Sequence, residues 1–246
     1  MRNVAFALAG ISAIALMAAS AQAQTAGGVT IGGTANQSTT VVGAVNSTAG
    51  FLGKSRVRVG SVEDTSIDGN LNQNTFVGGQ VGATAGFLGS AETNVGRVEG
   101  VDVQGNLNQS TTVLGAVNST AGFLASAETN IGNVEDTSVD GNLNQSTMVV
   151  GAVTNNAGFL GAGRVDIGSV EDSDISGNLN QSTFVGGAVV NTAGFLGKAT
   201  TEIGKVENAS IGGNATQNTT VLGAVTTSGG FLADACTSIG SLGSNC

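Results

Sequence analysis

The sequence predicts an all-β protein, a parallel β-solenoid or an amyloid-like serpentine stack of six 36-residue repeats. A period that never slips points to this first: Phe51, Phe87, Phe123, Phe159, Phe195 and Phe231 stand 36 residues apart. The glutamines Gln37, Gln73, Gln109, Gln145, Gln181 and Gln217 keep the same step. So do Thr39, Thr75, Thr111, Thr147, Thr183 and Thr219, and the glycines Gly43, Gly79, Gly115, Gly151, Gly187 and Gly223. Alternation within the unit is the second observation. Leu107, Gln109, Thr111 and Val113 fall on one side of an extended chain, the two-residue period of a strand. Composition is the third. The chain has 40 Gly and no Pro, and Ala-Leu-Glu-Lys stretches are absent, which disfavours helix and favours short strands joined by turns.

Taken in order, residues 1–23 read as an export signal: Arg2 gives a positive start, Val4 to Met17 carries no charge, and Ala21-Gln22-Ala23 is a small-x-small cleavage site. Cleavage is expected before Gln24, releasing a secreted chain. Residues 24–30 form a short N-terminal segment. The repeats then fill 31–66, 67–102, 103–138, 139–174, 175–210 and 211–246 with no linker between them. Each unit should hold several short strands: the stretch around Leu107 to Val113, a tight apolar segment Ala121-Gly122-Phe123-Leu124, and a β-like piece from Ile131 to Asp136 that ends in acids. One such unit cannot bury its own apolar side chains, so successive units must stack and share a core. At ~3.3 Å per residue, one unit per layer gives a path of roughly 120 Å that has to fold back on itself. Export into an oxidising compartment makes a Cys236–Cys246 disulfide the one intramolecular pairing two cysteines allow.

Stacking places like upon like, so each column carries an expectation. The Phe column is expected to pack in the core. The Asn-Gln pairs, such as Asn36-Gln37 and Asn72-Gln73, are expected to form buried amide ladders. The Thr column would be an ice-binding array if it lay on a flat outer face, but its neighbour drifts among Thr40, Phe76, Thr112, Met148, Phe184 and Thr220. Glu63, Glu99, Glu135, Glu171 and Glu207 share a phase, with Asp64, Asp136 and Asp172 beside them. These acids should form a solvated edge whose stacked charges repel by somewhat under ~1 kcal/mol per pair. Protons or calcium at the five glutamates would relieve that repulsion, although no Asp-x-Asp-x-Asp-Gly loop is present. Opposite charges also meet between layers, as with Arg56 against Glu92 and Glu128 against Arg164.

Composition narrows the function. The chain has no His, Tyr or Trp and carries 8 Lys plus Arg against 17 Asp plus Glu, for a net charge of −9. No His base, Ser-x-x-Lys or phosphate-cradling Gly-Lys-Ser/Thr motif is found, so neither an enzyme nor a cofactor is expected. Net acidity argues against nucleic acid as a partner. Without Tyr and Trp there are no aromatic girdles for an outer-membrane barrel. Neither end of the repeat array looks blocked by Pro or by a charged, divergent cap, so the expected partner is the chain itself, added head to tail into a homopolymer.

The tandem Gly-Asn-Leu-Asn-Gln motifs (Gly105 to Gln109, Gly141 to Gln145, Gly177 to Gln181), the export signal, the Gly richness, the lack of Pro and the Cys pair give the chain a family likeness. It resembles the secreted functional-amyloid subunits of bacterial biofilms, the curli and Fap types, over nearly all of its length after residue 23. The resemblance implies an extracellular cross-β matrix fibre, exported through an outer-membrane system and started by a nucleating partner. A repetitive surface adhesin is the alternative expectation, and an ice-binding β-solenoid a further one.

Overall fold

The computed structural model describes residues 11–14 and 28–243, with side chains from residue 28 onward. The expected cleavage site lies outside the described residues. Among the described residues there is no helix. The chain is a β-solenoid of about six turns, and the third shows the plan: Leu107–Val113, Val117–Ala121, Ser126–Ile131, Val134–Glu135 and Ser138–Val139, after which Leu143 opens the next turn. Every strand pairs in parallel with its equivalents one unit away, so Gln109 lies between Gln73 and Gln145. One 36-residue unit is therefore one rung, and five parallel sheets run along the axis. Outside this plan, Ile11–Ile14 pairs in parallel with Gln37 to Thr40 at the first rung's edge.

The alternation read from the sequence sets which side chains enter. Leu107, Gln109, Thr111 and Val113 are all buried, and Asn108, Ser110 and Thr112 between them face outward. The interior is two cores rather than one. Val113, Val117, Ala127 and Ile131 with their equivalents fill the larger, and Val98, Val103, Leu107 and Val139 with theirs fill the smaller. What divides them is the corner between the third and fourth strands, which bends into the molecule. Gly132 takes φ +65 there, and its equivalents from Gly60 to Gly240 take φ between +59 and +64. A Cβ at Gly132 would overlap Thr147 Oγ1 on the strand opposite, so only glycine allows this approach.

The stretch from Ile131 to Asp136 is thus not a single strand but two, folded about that glycine. The fourth corner is also left-handed: Asp64, Asp136, Asp172 and Asn208 have φ of 48 to 49, and Gly100 has +62. Asp, Asn and Gly are the residues that tolerate this conformation, so the acids beside the Glu column are there for the turn.

The larger core has a polar file along its axis. Thr93 and Thr129 both bond Ser119, at 2.8 and 2.9 Å, Asn155 donates to Asn191 at 2.9 Å, and Thr227 links Thr201 to Thr237 at 2.7 Å on each side. These positions vary from rung to rung. Where Asn155 and Asn191 enlarge the file, Gly163 vacates the facing space.

Candidate assembly surfaces

Four columns singled out from the sequence sit on this frame, and the structure rearranges their roles. The inner glutamines Gln73, Gln109, Gln145 and Gln181 are buried, yet the column's side chains do not hydrogen-bond one another. Gln145 Nε2 donates to the carbonyl of Gly132 and, at 3.3 Å, to that of Ser169, and Gln109 donates likewise to Gly96 and, at 3.3 Å, to Asn133, so these two side chains tie the inward corner below to the one above, while Gln73, Gln181 and Gln217 reach the glycine carbonyl alone. The Oε1 atoms of Gln73, Gln109, Gln145 and Gln181 accept no hydrogen bond, a desolvation cost of about 1–3 kcal/mol each that these ties must outweigh.

The amide ladders belong to asparagine and run on the outside. Asn72, Asn108, Asn144 and Asn180 each donate at 2.8 Å to the Asn one rung below. A second ladder runs from Asn70 to Asn178 at the last corner, where Asn106 Oδ1 also accepts the backbone N–H of Asn142 at 2.8 Å. Buried Asn-Gln ladders are thus half right: the strand's alternation sends Gln in and Asn out.

The Thr column is internal, with Thr75, Thr111, Thr147 and Thr183 at 1% exposure or less. Hydroxyls that face the core cannot order water on an outer face, so the ice-binding array fails at this column.

The Phe column leaves the core altogether. Its rings stack at 5.0–5.2 Å along the axis, but they do so on the surface, from 36% exposed at Phe195 to 68% at Phe231. The bend after the second strand is too tight to take a ring inside. Ala121 and Ala125 fill the inner side, while Phe123 and Leu124 point out between them. With the leucines beside them, the rings make an apolar stripe the full length of the solenoid.

The acidic column is paired with cations. Because the corner at Gly132 bends inward, the outer faces of the third and fourth sheets form a groove that holds basic residues next to the acids. Arg58 meets Glu63 at 2.6 Å, Arg97 bridges Glu99 and Glu135, Arg164 meets Glu171 at 2.6 Å, and Lys205 meets Glu207. All five glutamates of the column have a cationic partner, which offsets the repulsion along it. Column-by-column reading missed this because the cations sit at other phases of the repeat. Arg56 pairs with Glu92 at 2.6 Å as its register suggested. Arg164 turns instead to Asp166 at 2.5 Å and Glu202 at 3.4 Å.

Asp166, Glu171 and Glu202 bring carboxylate oxygens within 4.8 Å of one another around that guanidinium. Burial pushes Asp166 well above the usual carboxylate range despite Arg164 beside it, and burial also raises Glu171 and Glu99. Glu202 goes the other way: burial opposes its ionisation, but the hydrogen bond and charge of Lys205 outweigh that and lower it.

Charge is confined to one half of the cross-section. Residues 31–53, 69–91, 103–127, 141–163, 175–197 and 208–233 contain no ionisable side chain. These stretches build the first two sheets and the Phe corner.

At the two ends, the first-sheet strands of the first and last rungs nearly match. The first rung presents Ala35–Val41, Ala-Asn-Gln-Ser-Thr-Thr-Val, and the last presents Ala215–Val221, Ala-Thr-Gln-Asn-Thr-Thr-Val. Cys236 lies on the last rung and is disulfide-bonded, while Cys246 lies outside the described residues.

These columns and edges define the class, a parallel β-solenoid built of near-identical rungs. No family model, no curated protein and no solved structure matches the chain.

Proposed function

We propose that the chain is a secreted structural subunit that assembles head to tail into extracellular cross-β fibres. The observation that carries this reading is the match between the two end strands. Ala215–Val221 of one copy can receive Ala35–Val41 of the next with the parallel register that joins every internal pair, Gln on Gln and Thr on Thr. The columns then continue across the joint: Gln37 of the next copy stands in register to reach the Gly240 corner, as Gln217 reaches Gly204, and Phe231 meets a Phe51 ring. Backbone groups left open at a sheet edge favour such pairing.

The pairing of Ile11–Ile14 with Gln37 to Thr40 supports the same reading, since it places a parallel strand on the edge that a second copy would use. Loss of residues 1–23 on export frees that edge for a neighbour.

The test is incubation of purified residues 24–246 with negative-stain microscopy and fibre diffraction. The expected result is unbranched fibres with a meridional reflection near ~4.8 Å. A chain that stays monomeric at high concentration for weeks, without that reflection, overturns the proposal.

A further inference from the structure

The Phe–Leu stripe points sideways, across the fibre axis, and head-to-tail stacking leaves it uncovered. The leucines from Leu52 to Leu232 are 39–72% exposed beside rings that are 36–68% exposed. With ~200 Å² for a fully exposed side chain of this size, they leave roughly 1,000 Å² of contiguous apolar surface. Monomers seldom show a patch beyond about 300–600 Å². A stable interface needs about 800 Å² from each partner.

From this we infer that the stripe is an isologous interface on which a second copy of this chain packs face to face, pairing two solenoids side by side. Three features select this occupant. The area contributed by each copy meets what a stable dimer requires. The rings recur at 5.0–5.2 Å, and the surface that repeats that spacing over six rungs is another solenoid of the same pitch. The charge layout also permits it. Although the chain is acidic, every Asp and Glu side chain lies on the third to fifth sheets or the corners that follow their strands, and only Asp234 borders the stripe, whose rim on the third-strand side is Lys54, Ser90, Ser126, Ala162, Lys198 and Asp234. A two-fold axis across the stripe brings Lys54 of one copy opposite Asp234 of the other. Two such faces can therefore meet without the repulsion that the net charge would suggest, leaving an apolar centre and a polar rim.

This inference adds to the fibre proposal, and its test separates the two. Mass per length is measured on fibres of the chain and of a variant carrying Phe123→Ser, Leu124→Ser, Phe159→Ser and Leu160→Ser. The substitutions fall on outward-pointing side chains, and circular dichroism checks that the fold is kept. Six rungs at ~4.8 Å make one copy about 29 Å long. The expected result is two copies per such length for the native chain and one for the variant, a twofold drop, with the diffraction spacing unchanged. One copy per length in the native fibre, or two in the variant, overturns the pairing. If no fibres form, axial stacking fails, and sedimentation equilibrium then reads the stripe by itself: a native dimer that the variant reduces to monomer supports it, and a native monomer overturns it. A native chain that stays monomeric but binds phosphatidylcholine vesicles through the stripe also overturns it.

Discussion

Gly132 shows how one residue type shapes the rung. It holds a left-handed φ, its carbonyl accepts from Gln145, and its missing Cβ leaves room for the Thr147 hydroxyl. Gly132→Ala therefore combines a positive-φ cost of about 1 kcal/mol with a backbone shift at the waist between the two cores. The expected outcome is a loss of roughly 2–3 kcal/mol, measured by denaturant unfolding of the soluble chain. Ser119→Ala, inside the file of hydroxyls, should cost less, since it removes hydrogen bonds without moving the backbone. The 36-residue step repeats Gly132 as Gly60, Gly96, Gly168, Gly204 and Gly240, but it carries nothing of their geometry. A glycine that recurs reads as any turn, and apolar alternation does not say whether a corner bends outward or inward. The drift among Asp64, Gly100, Asp136, Asp172 and Asn208 was the available signal for a left-handed corner, and read as charge it suggested repulsion instead.

At the scale of strands and sheets, the groove between the third and fourth sheets governs how stability responds to pH. Asp166, Glu171 and Glu99 are raised, chiefly by burial, so the native state holds their protons at pH values where the unfolded chain has released them. Stability from these groups is then full below the ordinary carboxylate range and falls as pH rises through it towards their raised values. Glu202 is lowered by Lys205 and contributes oppositely, losing stability as pH falls through its depressed value. Asp166→Asn should flatten the decline that sets in as pH rises above the ordinary carboxylate range, read in a series of thermal melts. Arg164→Met removes the cation among three carboxylates. It should cost roughly 2–3 kcal/mol at pH 7, less than a fully buried pair because the guanidinium is itself partly exposed, and acid should restore most of the loss. The strand containing Leu107 to Val113 was legible with its inward face correct, because two-residue alternation has one solution once a core exists. The corner at Phe123 was not. Hydrophobicity predicts burial, whereas a tight bend admits only Ala inside and sends the rings out.

For the whole molecule, the number of rungs and their mutual register followed from the sequence, and the number of sheets around the axis did not. What the coordinates add is a cross-section with an uncharged half and a charged half, and the charged half is not uniform from end to end. The groove positions filled by Arg164, Asp166, Ser169 and Glu171 in the fourth rung are Arg56, Arg58, Ser61 and Glu63 in the first, and Cys236, Ser238, Ser241 and Gly243 in the last. In the proposed head-to-tail stack, a neutral terrace of the groove would therefore meet one rich in arginine, with no row of carboxylates facing a second row. Ionic strength acts on facing charges within about 10 Å at 0.1 M salt, so it has little to screen at this seam. Elongation of preformed seeds should change by less than about twofold between 50 and 500 mM sodium chloride in a seeded dye-binding assay, while the melting temperature of the soluble chain, whose groove is full of ion pairs, moves over the same range. A seam indifferent to electrolyte would let growth continue from dilute fresh water to brine.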